Sequence, residues 1–70
     1  MLIGEAIQLY RTKRGMSRAE LADKAQLGRV TIYDIEKGNE TPRFVTLQLI
    51  CDALEVSPSD LLVCVDWRPQ

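Results

Sequence analysis

The chain of 70 residues contains no histidine, only two cysteines, and only one tryptophan, two tyrosines and one phenylalanine. A structural zinc site takes four Cys or His ligands, so a single chain of this composition cannot form one. The sequence also has no glycine-rich phosphate loop and no nucleophile set beside a general base. We therefore expect no catalytic residue, no metal site and no cofactor. Nothing in the sequence indicates that the protein is an enzyme.

Long apolar runs are also missing. No stretch approaches the roughly 20 apolar residues that a membrane-spanning helix needs. The first residues lack the basic region and following apolar run of a secretory signal. We expect no membrane association and a cytoplasmic location, where a disulfide between Cys51 and Cys64 is disfavoured. Helical spacing predicts that Cys51 lies in the core. Cys64, in the tail, is expected to be an inert thiol, with a redox role as the alternative.

Size and charge narrow the class of protein. Seventy residues predict one domain without room for a second sensor domain, and 46% hydrophobic with 27% charged residues is typical of a globular chain. The net charge of −1 argues against a generic basic nucleic-acid coat. Residues 1–43 carry eight Lys/Arg against six Asp/Glu, whereas residues 44–70 carry one Arg against four acidic residues. Any non-specific attraction to a polyanion such as nucleic acid is expected to be modest and to come from the first part of the chain.

Apolar periodicity and capping signals predict five short helices. Ser17 and Glu20 form a capping box, Gly15 and Gly38 end helices, and Ser57 before a proline begins another. The predicted helices cover 3–13, the segment between Ser17 and a turn at 26–28, 29–37, 44–54 and about 58–63. The fold class is all-α: a compact five-helix bundle with a short C-terminal tail at 63–70. The alternation of Val63, Val65 and Trp67 is a weak strand or docking signal.

The segment 17–38 is the most informative part of the chain. Two short helices joined by a tight turn have the outline of a helix-turn-helix, in which the second helix enters a DNA major groove. Residues at spacings typical of one family surround it: Ile3-Gly4, Ile7, Arg11, Gly15, Ser17, Leu21-Ala22, Ile32, Glu36, Gly38, Pro42, Leu47, Ala53-Leu54, Val56 and Leu61-Leu62. Over about residues 3–62 the chain thus resembles the lambda-repressor-like (Cro, phage-repressor, Xre-type) DNA-binding family. Three positions depart from that family: Gln26 replaces a glycine, Gly28 a Ser or Thr cap, and Arg18 a glutamine. In the retained turn, Gln26 must take a positive φ unless a neighbour adjusts.

The resemblance implies which residues contact DNA. Arginine can grip guanine, methyl groups can meet the thymine methyl, and a carboxylate can accept from the cytosine amino group. The expected base contacts are Arg29, Val30, Thr31, Tyr33 and Asp34, and the expected phosphate contacts are Arg18, Gly28, Lys37 and Arg43. The alternative for each is a solvated surface residue, and for Val30 a place in the core. Gly28 offers a backbone N–H but no hydroxyl to a phosphate.

The resemblance also implies a structural ion pair between Arg11 and Glu36, rather than a catalytic acid and base. A surplus of apolar residues at the end of the chain favours a dimer interface, formed by Leu61, Leu62, Val63, Val65 and Trp67. The alternative is that Leu61 and Leu62 close the monomer core. The expected domain is residues 1–62, with the motif at about 17–38 and residues 63–70 as the tail.

The function expected from these residues is sequence-specific transcription regulation, by a homodimer on a near-palindromic operator, of the phage-repressor or restriction–modification controller type. The expected partners are double-stranded DNA and a second copy, with a toxin or RNA polymerase as a further protein partner. The main alternative is an antitoxin-like protein-binding module that also binds DNA. A third is a domain that keeps the fold without DNA binding.

Overall fold

A computed structural model describes residues 2–63 of the chain. It contains five helices, α1 (Ile3–Lys13), α2 (Arg18–Ala25), α3 (Arg29–Lys37), α4 (Phe44–Leu54) and α5 (Pro58–Val63). All regular secondary structure in residues 2–63 is helical, which confirms the all-α prediction and the predicted helix limits. None of these helices is long and apolar enough to cross a membrane. The strand or docking signal after Val63 lies outside the described residues.

Local capping fixes where the helices begin and end. The hydroxyl of Ser17 accepts from the backbone N–H of Glu20 at 3.0 Å, while the Glu20 carboxylate accepts from the backbone N–H of Ser17. The Ser57 hydroxyl likewise accepts from the backbone N–H of Asp60 at 3.1 Å. Each such cap satisfies N–H groups that a helix leaves unpaired at its start, and is worth about 1 kcal/mol. Both predicted caps are therefore confirmed.

A residue in the left-handed conformation follows each of the helices α1 to α4. Gly15 and Gly38 have φ of 68° and 83°, as their predicted capping roles require. Gln26 ends α2 with φ of 58°, so the turn of the motif is kept by a strained glutamine and not by a shifted neighbour. Glu55 ends α4 with the same φ of 58°. No pattern in the sequence predicted that conformation.

The helices enclose one apolar core. Its fully or almost fully buried members come from all five helices: Ala6, Ile7, Leu21, Ala22, Ala25, Ile32, Ile35, Ile50, Cys51, Leu54 and Leu61. Cys51 lies in this core as predicted, and burial, followed by the nearby Asp52 carboxylate, raises the pKa of its thiol. Cys64 lies outside the described residues.

Leu61 requires a correction. It is fully buried in the monomer, because α5 packs against both α1 and α4. It therefore closes the core and is not part of an exposed apolar patch. Leu62 remains 46% exposed. Val65 and Trp67 lie outside the described residues, as does the side chain of Val63.

α1 comes unusually close to α3 at Gly4. A side-chain carbon added at Gly4 would collide with the backbone carbonyl oxygen of Ile35 and reach the Cα of Glu36 at 3.0 Å. Only glycine permits this approach. This contact holds the inner face of α3 against α1, so that the opposite face of α3 is left to the solvent.

Candidate nucleic-acid interface

A buried carboxylate anchors α3 from the inside. Glu36 Oε2 lies 2.7 Å from Arg11 Nε, and Glu36 Oε1 accepts from Arg11 Nη2 at 3.2 Å. The Glu36 side chain is 2% exposed and that of Arg11 10%. Arg11 also donates to the backbone carbonyl of Met16 at 2.8 Å, just before α2. One arginine of α1 thus ties α3 to the segment that leads into α2.

Arg18 joins the same carboxylate from the outside. Its Nε lies 3.2 Å from Glu36 Oε1, and its guanidinium lies 5.2 Å from the centre of the Tyr33 ring. Lys37 lies over the same ring, at 5.5 Å. The sequence predicted a phosphate contact for Arg18 but not its contacts with Tyr33 and Glu36. These two residues are too far along the chain from Arg18 for a local pattern to connect them. Its side chain is still 43% exposed, and only Nε is engaged by Glu36.

The start of α3 is open to solvent. Gly28 is its N-cap, with no side chain to satisfy the first N–H groups of the helix. Arg29 is exposed, and Val30 is 72% exposed. The alternative that Val30 packs in the core is therefore wrong. Unpaired N–H groups at a helix start favour an anion such as a phosphate.

The remaining expected contact residues lie along the same helix and in the loop beyond it. Tyr33 is 43% exposed, whereas Thr31 and Asp34 are half-buried. Thr31 lines a concavity of about 310 Å³ together with Arg43 and Thr46, on the side of α3 that faces the loop before α4. The structure thus divides the expected contacts between two sides of α3, with Val30 towards α2 and Thr31 towards Arg43.

The electrostatics of this surface are mixed. Arg18, Arg29, Lys37 and Arg43 are exposed on or beside α3, and the acidic Glu40 shares the loop-side concavity with Arg43. The carboxylate of Glu36 is buried and already met by two arginines. Its charge is therefore largely compensated, which leaves the exposed surface around the start of α3 cationic.

Comparison with known proteins decides the family. The helix-turn-helix family model matches residues 7–61. The chain belongs to the helix-turn-helix family. Its resemblance to the lambda-repressor-like kind is confirmed by its relatives. The immunity repressor of Bacillus phage phi105 is 32% identical over 62 residues, and the alignment covers 89% of this chain and 43% of the repressor.

Two further relatives of this helix-turn-helix chain are regulators. Control protein C.BamHI of Bacillus amyloliquefaciens is 36% identical over 63 residues, covering 89% of this chain and 78% of that protein. SinR of Bacillus subtilis is 36% identical over 62 residues, covering 87% of this chain and 56% of SinR. A structure of SinR in complex with DNA matches with a TM-score of 0.83 at 35% identity, covering 87% of this chain and 98% of that one. The chain therefore spans less than half of the phage repressor and just over half of SinR. These relatives are a repressor, a control protein and a transcription regulator, and none of the three is an enzyme.

Proposed function

We propose that the chain is a sequence-specific DNA-binding transcription regulator that reads the major groove with α3. One observation carries the proposal: the first residues of α3, Arg29 and Val30, are exposed beside the exposed Arg18 at the start of α2. In a helix-turn-helix, the start of the second helix contacts base edges while the first helix crosses the backbone. The likeness to SinR, which has been seen bound to DNA, supports the same arrangement.

The roles of individual residues follow from their chemistry. Arg29 is suited to a bidentate contact with guanine, Thr31 to a thymine methyl group, and Asp34 to a cytosine amino group. Arg18, Lys37 and Arg43, with the backbone N–H of Gly28, are suited to phosphates, which set the register of the protein on DNA. Val30 and Tyr33 complete the set of proposed base contacts.

The proposed active form is a homodimer on a near-palindromic operator. One such module buries only about 600–1,000 Å² on DNA, so two half-sites about 34 Å apart give useful affinity and mirror a two-fold axis. The proposed domain is residues 1–62, and the proposed dimer surface combines the half-exposed Leu62 with residues 63–70. Bound at a promoter, in the cytoplasm, the dimer would block or position RNA polymerase.

Selection from a random-sequence pool of duplex DNA tests the proposal. The full chain is expected to recover one near-palindromic motif, with binding that weakens as salt rises. Arg43→Ala should reduce the slope of log affinity against log salt by about 2 for the dimer, because each of the two protomers would then neutralise one phosphate fewer. Arg14→Ala is the matched control, because Arg14 is an exposed arginine that pairs with Glu55. Failure to enrich any motif would contradict sequence-specific regulation. It would leave the alternatives that do not depend on sequence-specific DNA binding.

Sedimentation tests the dimer. Deletion of residues 63–70, or Leu62→Glu, is expected to convert the dimer to a monomer and weaken operator binding. Leu2→Glu is the control, since Leu2 is a similarly exposed leucine (65%) at the start of the chain. A deletion variant that stays folded, dimeric and fully active would move the interface elsewhere.

A protein-binding module of the antitoxin type is the second candidate. Phe44 and Val45, at the start of α4, are 74% and 70% exposed, and adjacent exposed apolar side chains favour a protein contact. SinR, similar in fold, has also been seen in a complex with the SinI protein. If that surface binds a toxin or RNA polymerase instead of DNA, the Phe44→Ser, Val45→Ser double variant should recover the same DNA motif as the wild type.

A further inference from the structure

A surface concavity of about 300 Å³ lies between the start of α2 and the outward face of α3. It is lined by Arg18, Ala19, Arg29, Val30 and Tyr33. Three of these offer carbon to an occupant: the Ala19 methyl, the Val30 methyls and the Tyr33 ring. The other two offer guanidinium groups. An apolar site between two cations suits a ligand with an apolar group close to negative charge.

Two of the lining side chains are held in place before any ligand arrives. Arg18 Nε is 3.2 Å from the buried carboxylate of Glu36, and the Arg18 guanidinium is 5.2 Å from the centre of the Tyr33 ring. Lys37 Nζ lies 5.5 Å from the same ring. Side chains fixed in advance lose less conformational entropy when a ligand binds, so more of the contact energy appears as affinity.

Resting on the proposed function, we infer that this concavity receives the 5-methyl group of one thymine in each half-site of the operator. Thymine is the base of unmodified DNA that places a methyl group in the major groove, where the other pairs present donors and acceptors. Against the methyl and ring carbons of the concavity, a donor or acceptor would lose its hydrogen bonds to water without replacement. The flanking Arg18 and Arg29 suit the phosphates and guanine edges that adjoin such a thymine.

Uracil substitution isolates this contact, because it removes the methyl group and leaves the hydrogen-bonding edge of the base unchanged. The probe is the duplex recovered by the full wild-type chain from the random pool, with uracil placed at one thymine at a time, symmetrically in both half-sites. One position is expected to lower affinity by about fourfold per half-site, the equivalent of one buried methyl group. The remaining uracil positions should bind as tightly as thymine, except at a thymine whose methyl group meets Thr31 on the other side of α3.

Two valine variants assign that loss to the concavity. Val30→Ala removes two lining methyl groups and should abolish the difference between thymine and uracil at the sensitive position. Val45→Ala, a substitution at a similarly exposed valine outside the concavity, should leave the difference intact. Because both valines are exposed, both variants should unfold at the wild-type temperature.

The outcomes separate this inference from the function on which it rests. A recovered motif that binds equally with uracil at every position overturns the methyl site and leaves sequence-specific DNA binding intact. If every uracil penalty is unchanged in Val30→Ala, the methyl site is also overturned, since no thymine methyl group would then lie in this concavity. If no motif is recovered at all, the proposed function itself fails.

Discussion

α3 buries Ile32 and Ile35 almost completely against the other helices, while Arg29 and Val30, on the same nine-residue helix, face the solvent. The inner positions are surrounded by neighbours, so a change there alters packing and the free energy of unfolding. The outer positions have few neighbours within the chain, so a change there should leave the fold intact and alter only what binds to it. Stability and recognition can therefore be tested separately on one helix.

Glu36 allows the sharpest comparison, because it has one buried and one exposed arginine partner. Arg11→Ala should lower the free energy of unfolding by about 3–5 kcal/mol, since it leaves a buried carboxylate without its closest partner. Arg18→Ala should cost under about 1 kcal/mol, since an ion pair of a partly exposed arginine is screened by water. Chemical denaturation of both variants measures the two losses.

A double-mutant cycle checks that the loss belongs to the pair. Arg11→Ala and Glu36→Ala should show a coupling of about 0.5–3 kcal/mol, because either single change removes the same interaction. Strictly additive losses would mean that the ion pair does not contribute to stability. Equal losses in Arg11→Ala and Arg18→Ala would instead contradict the distinction between the inner and outer faces of α3.

Gly4 tests the inner face from the side of α1. Gly4→Ala places a methyl group against the Ile35 carbonyl, so the two helices must separate, at a cost of about 1–3 kcal/mol of unfolding free energy. Gly28→Ala is the matched control: its added carbon meets only Thr31 Oγ1, at an ordinary 3.6 Å. We expect that control to cost under about 1 kcal/mol. Thermal unfolding that ranks the two glycines in the opposite order would contradict the close approach.

The sequence predicted the parts of the fold that depend on local chemistry. Ser17 with Glu20, and Ser57 with Asp60, specify helix starts within four residues, so their caps could be located without a structure. The positive φ of Glu55 could not, because that residue type gives no signal for a left-handed conformation, and the turn after α4 is imposed by its surroundings.

The candidate site was predictable to the same extent. Helical spacing placed Arg29 on the exposed start of α3, and the family resemblance pointed to the residues around it. Spacing did not predict that Arg18 reaches Glu36 and Tyr33. It also left open whether Leu61 lies in an exposed patch or closes the core, where the structure encloses it against α1 and α4. Both depend on how separate helices pack, and the pattern within one helix carries no such information.

The outer face is tested by Arg29. On the best operator, Arg29→Ala should cost about 1–3 kcal/mol of binding free energy per half-site and relax the preference at one base pair in each half-site. The unfolding midpoint of the Arg29→Ala variant should match that of the wild type, because Arg29 is exposed. The measurement is selection and titration of operator DNA beside thermal unfolding of the same preparation. Recovery of the wild-type motif at undiminished affinity would mean that Arg29 does not read a base.

The smallest expected effect concerns Gln26, which lies in the turn between the two helices of the motif. A non-glycine residue in the left-handed region costs roughly 1–2 kcal/mol, and Gln26 has φ of 58°. Gln26→Gly relieves that cost but gives the unfolded chain more freedom, worth about 0.4–1 kcal/mol, so the net gain in stability should lie between about 0 and about 1.6 kcal/mol. Gly15→Ala, at φ of 68°, should shift stability in the opposite direction. Both changes leave the outward residues of α3 in place, so operator affinity should stay constant while the denaturation midpoints move apart. A loss of affinity in Gln26→Gly would show that strain in the turn helps to position α3, and that recognition and stability are coupled there.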